Sequence, residues 1–110
     1  MSVLELTPYN FEAVTDTGRT LIFYLSEWCP PCRDYPPMLA CISARYGDRL
    51  KVCSVDADAF PWLALQFSIM TLPAALLMEE GRDISRLSGT HSMDTYCAMV
   101  EKAPTAAVLC

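Results

Sequence analysis

Apolar and polar positions alternate in short blocks along the whole chain. Val3–Leu6 reads as a short strand. Thr7 is placed to cap a helix with Pro8 at its first position, running to about Thr15. Leu21-Ile22-Phe23-Tyr24-Leu25 is an unbroken apolar run, the pattern of a central strand covered on both faces. A helix to about Tyr46 comes next. Met38, Cys41, Ile42 and Arg45 sit at helical spacing in it, and Pro36 and Pro37 break or kink it near its start. Leu50–Val55 predicts a strand, and Phe60–Phe67 a short helix with Pro61 in its first turn. Pro73–Met78 is a second buried strand, with proline at its opening where a missing N–H is tolerated. Glu79-Glu80-Gly81-Arg82 is a hairpin turn, and Ile84–Ser88 an edge strand. Ser92 is placed to cap a last helix whose apolar face is Met93, Tyr96, Cys97 and Val100.

The order βαβαβαββα predicts an α/β fold with parallel crossovers. The tight last turn makes the final two strands antiparallel. A central mixed sheet of five strands flanked by about four helices follows. No repeat or linker interrupts the pattern, so residues 1–110 are expected to form one domain, with 103–110 a short apolar tail.

Composition narrows the picture. Apolar residues make up 53% of the chain, enough for a core without staples. The net charge of −5 lacks the basic face that a nucleic-acid partner needs. No apolar run approaches a membrane span, and the first residues show no secretory signal pattern, so a cytoplasmic setting is expected. Of six cysteines, only Cys29 and Cys32 lie close in sequence. Cys41, Cys53 and Cys97 fall in apolar segments and read as buried core thiols. Cys110 is either a free thiol or a dimer contact.

Trp28-Cys29-Pro30-Pro31-Cys32 carries the chemistry. Two cysteines two residues apart, between an apolar strand and a helix, suit thiol–disulfide exchange. That reaction needs an accessible thiolate and a second thiol in reach. A helix N-terminus stabilises a thiolate, which makes Cys29 the attacking sulfur and Cys32 the resolving one. Pro30 and Pro31 stiffen the turn between them. A zinc site would need a second cysteine pair or several histidines, and His91 is the single histidine, expected to be a loop residue without a catalytic role.

These residues resemble the thioredoxin family over about Val3 to Lys102. The likeness rests on Ser26 to Arg33, Pro37, Val55-Asp56-Ala57-Asp58, Thr71-Leu72-Pro73, Glu80-Gly81 and Ser88-Gly89. It implies a thioredoxin fold and a protein-disulfide reductase. It also implies that Pro73 follows a cis peptide bond, and that Trp28, Pro31, Leu72, Pro73 and Gly89 meet an extended substrate peptide. It implies protein disulfides as substrates, an electron donor of the thioredoxin-reductase type, a monomer, and no cofactor or metal. Two positions depart from the family pattern. Pro30 stands where glycine is usual, and Phe23 stands where a buried aspartate is usual. Both are expected to tune the redox chemistry, and without that aspartate the Cys32 thiol loses a negative charge that would raise its pKa. The active-site segment also resembles tryparedoxins and nucleoredoxins. A specialised redoxin with a dedicated partner, or a binding module on the same scaffold, are the alternatives.

Overall fold

The computed structural model describes residues 3–103. Cys110 and the tail beyond Ala103 lie outside them. Five strands form one mixed sheet: β1 (Leu4–Leu6), β2 (Arg19–Leu25), β3 (Lys51–Asp56), β4 (Ala74–Glu79) and β5 (Arg82–Ser88). Four α-helices flank it: α1 (Phe11–Thr15), α2 (Tyr35–Tyr46), α3 (Pro61–Leu65) and α4 (Met93–Lys102). The strand order is β1-β3-β2-β4-β5.

β2 is the central strand that its apolar run predicts. Leu21 and Phe23 face α2 and α4, packing with Tyr35, Leu39, Ile42, Tyr96 and Val100. Ile22 and Tyr24 face the other side, packing with Phe11, Val55, Leu63 and Ile69. Burying such side chains contributes about 2 kcal/mol each, so this strand anchors both layers.

Strand direction departs from the crossover expectation. β1, β3 and β2 run parallel, but β4 pairs antiparallel with β2, in register Tyr24↔Ala74, as well as with β5. The chain leaves β3 and enters β4 at the same end of the sheet. The C-terminal end of β2, the start of β4 and the end of β5 therefore meet at one edge, and Ser88 pairs with Ala74 there. At the opposite edge, Glu80 and Gly81 both take positive φ, 50° and 83°, as a two-residue hairpin of matching twist requires.

Three helical expectations need correction. α1 starts at Phe11 rather than Pro8, because Thr7 to Asn10 close a turn first. Asn10 Oδ1 accepts from the Thr7 N–H at 2.7 Å, and Thr7 Oγ1 accepts from the Tyr9 N–H at 3.2 Å. The helix after the cysteines is split into a 3-10 turn (Pro30–Asp34) and then α2, with Pro36 and Pro37 in the first turn of α2 where they cost no hydrogen bond. The inward face of α2 is Tyr35, Leu39, Ile42, Ser43 and Tyr46, so Cys41 is exposed and not a core thiol. Cys53 and Cys97 are buried. Ser92 caps α4, its Oγ accepting from the Thr95 N–H at 3.2 Å.

Candidate functional site

The site is built on the end of β2. Leu25 leaves the sheet, residues 26–29 form a loop, and the 3-10 turn begins at Pro30 with Cys29 as its N-terminal flank. The Cys32 N–H donates to the Cys29 carbonyl at 3.0 Å, closing the turn between the two thiols. Both cysteines are free. Cys29 is half-buried at the surface, whereas Cys32 is only 4% exposed. Pro30 and Pro31 are exposed between them and carry no N–H, so the first two positions of the turn offer no donor to a sulfur. Trp28 is 80% exposed beside Cys29.

Burial pushes the Cys32 thiol up to about 11, with the hydrogen bond to Cys29 and the charges of Cys29 and Asp58 adding to the rise. A backbone hydrogen bond from Ser26 works the other way. The missing aspartate at position 23 therefore does not leave Cys32 without a nearby negative charge, because Asp58 supplies one. Asp58 is also structural. It accepts from Ser26 Oγ at 2.9 and 2.8 Å and from the Glu27 N–H at 3.2 Å. Ser26 Oγ accepts in turn from the Trp28 N–H at 3.0 Å. Composition alone gave Asp58 and Ser26 no role, and their separation of 32 residues hides the contact.

An open cleft of about 260 Å³ reaches Cys32 from the α2 side of the sheet. Glu5, Ser26, Glu27, Arg33, Ser54 and Asp56 are among its lining. Phe23 lies beneath this region, fully buried. Its ring meets Tyr96 edge-on at 4.9 Å and Tyr35 at 5.9 Å.

The sheet end brings in the other residues singled out in the sequence. The Leu72–Pro73 peptide is cis. Leu72 is half-buried and Pro73 buried, one residue ahead of the Ala74 that pairs with Tyr24. Gly89 lies beside them, its N–H donating to the Pro73 carbonyl at 2.8 Å. It takes φ +82°, and no atom lies within 4 Å of a Cβ built on it. A glycine there satisfies the backbone and leaves open space at the surface. His91 is a loop residue whose Nε2 lies 2.9 Å from the Ser88 carbonyl.

Comparison with known proteins places this geometry. The thioredoxin family model matches residues 2–102. The chain belongs to the thioredoxin family. Similar proteins include the thioredoxin of Staphylococcus saprophyticus, 24% identical over 93% of this chain and 98% of that protein. The thioredoxin of Staphylococcus aureus strain Mu50 is 22% identical over the same shares. Membership of the thioredoxin family together with the Cys29–Cys32 pair supports a thiol–disulfide oxidoreductase.

Proposed function

We propose that this protein reduces protein disulfides with a Cys29/Cys32 dithiol. The observation that carries the reading is the asymmetry of the pair: Cys29 is half-open at the surface, and Cys32 is 4% exposed one turn further in. Cys29, as thiolate, attacks one sulfur of the substrate disulfide. A Cys29–substrate disulfide forms, and the other substrate sulfur leaves and takes up a proton. Cys32 then loses its proton and attacks Cys29 Sγ. The Cys29–Cys32 disulfide closes and the second substrate sulfur leaves. Two electrons pass to the substrate, and an external two-electron donor of the thioredoxin-reductase class restores the dithiol.

Trp28, Pro31, Leu72, Pro73 and Gly89 form the substrate face in this reading, with Leu72 offering backbone groups to an extended peptide. The support is their convergence on one sheet end. The Cys32 proton leaves through the cleft lined by Glu27 and Asp56, since Phe23 has no group to take it. A reducing compartment such as the cytoplasm suits a protein that works as a dithiol reductant.

Reduction of insulin by dithiothreitol, followed by turbidity, tests the proposal. Wild-type protein accelerates it, and equal rates with wild type and Cys29→Ser would overturn the reading. A second reading, a specialised redoxin with a shifted potential, is favoured by the full burial of Phe23, which carries no ionisable group, and by Pro30. A measured potential near that of a general thioredoxin, about −270 mV, would remove it.

A further inference from the structure

We propose that Tyr35 and Tyr96 are positioning residues that lock the Gly89–His91 loop onto the redox turn, so that the loop receives peptide substrates. The inference rests on the reading of Gly89 as part of the substrate face.

The two hydroxyls are 2.6 Å apart in the core, joining the first residue of α2 to α4 across 61 positions of sequence. Two backbone groups fix the direction of the hydrogen bonds. The His91 N–H can only donate, and it donates to Tyr35 Oη at 3.3 Å. The Gly89 carbonyl can only accept, and it accepts from Tyr96 Oη at 3.4 Å. Tyr35 therefore donates to Tyr96, and each hydroxyl is used once as donor and once as acceptor. The chain runs from His91 N–H through Tyr35 and Tyr96 to the Gly89 carbonyl, and it holds both ends of one three-residue segment.

The same segment is tied to the strand opposite. Gly89 gives its N–H to the Pro73 carbonyl at 2.8 Å. Its two backbone groups thus face inward, one to Pro73 and one to Tyr96, which turns its Cα to the open side. Tyr35 is three residues beyond Cys32, so the network links three segments: the redox turn, the loop before β4 and the loop after β5. Phe23 holds the two rings in place edge-on. The partners of these two hydroxyls all belong to the site's own supports.

The test is the double variant Tyr35→Phe/Tyr96→Phe, which removes two oxygens and keeps both rings. Three measurements decide it. The His91 amide should lose protection in hydrogen exchange while the sheet amides keep theirs. KM for insulin should rise about fivefold with kcat held, the equivalent of about one hydrogen bond lost from substrate positioning. Reduction of 5,5′-dithiobis(2-nitrobenzoic acid), a disulfide with no peptide backbone, and the Cys29–Cys32 potential should not change. An unchanged His91 amide overturns the lock. An unchanged insulin KM with a lost amide protection, or an equal loss on both substrates, overturns its role in receiving peptides. Failure of the wild type to reduce insulin would instead sink the proposed function, and the amide measurement still decides the lock.

Discussion

Ser26 Oγ donates into the Asp58 carboxylate, 2.9 and 2.8 Å from its two oxygens, and carries the Trp28 N–H on its own lone pair. One carboxylate thus organises the loop that presents Trp28 and also places a negative charge near Cys32. Asp58→Asn separates these effects. The amide still accepts from Ser26, but the charge is gone, so the Cys32 titration should move down from about 11. The drop should be partial, because burial is the larger cause. Ser26→Ala should leave that titration closer to its original position while loosening Trp28. Alkylation rates of Cys32 against pH, with Trp28 fluorescence anisotropy, check both.

The buried thiols set the alkaline limit of the reduced protein. Cys32 and Cys53 are pushed up from 9.0 to about 11 and about 12, chiefly by burial. Between pH 9 and those values the unfolded chain has released protons that the folded protein still holds. Raising the pH there favours unfolding. Stability is full below about pH 9 and falls as pH climbs. Thermal melts of the reduced protein between pH 8 and 10 should show Tm falling above pH 9, and Cys53→Ala should flatten that decline. Buried Tyr24 and Tyr96 act in the same direction at higher pH, so the slope below pH 10 is the one to read.

Restoring the acid at position 23 should be costly. Phe23 is fully buried against Tyr35 and Tyr96. Phe23→Asp removes an aromatic side chain and introduces a desolvated carboxyl, a loss of about 4 kcal/mol or more. Desolvation raises that carboxyl's pKa, so the folded form prefers it neutral and the penalty grows as pH rises. Urea unfolding at pH 5 and pH 8 should give the lower midpoint at pH 8. Phe23→Leu, nearer in volume, should cost about 1 kcal/mol and serves as the control.

Arg19 closes the molecule away from the site. Its guanidinium meets Glu79 Oε1 at 2.7 and 2.9 Å and donates to the Val100 and Ala103 carbonyls at 2.7 and 3.2 Å. The pair is nearly dry, with side chains 13% and 12% exposed. Arg19→Ala removes these hydrogen bonds from Glu79 and from the Val100 and Ala103 carbonyls, and should destabilise by about 2 kcal/mol. Equilibrium urea unfolding measures it. The chemistry of Cys29 should persist in the folded fraction.

Much of this was legible in the sequence because the signals are local. The apolar run of β2, the Ser92 cap and the Glu80-Gly81 hairpin each depend on a few neighbouring residues. Cys41 was misread because its side chain is apolar enough to pass for a core residue. It lies two residues from Leu39, roughly 200° around the helix, which turns it outward. The direction of β4 was not legible, because alternation of strand and helix implies crossovers and says nothing of a connection as short as α3. Nor were the Asp58 and Tyr35–Tyr96 contacts, which join positions 31 to 61 residues apart. Tyr96 reads from sequence as one more apolar position, and only its hydroxyl's partners show otherwise.

The antiparallel entry of β4 gives the molecule two unlike poles. Cys29, Pro73 and Gly89 share one, while the Glu80-Gly81 hairpin, Arg19 and Ala103, just past the end of α4, share the other. A tether fixed at Ala103 would therefore leave Cys29 accessible at the opposite pole.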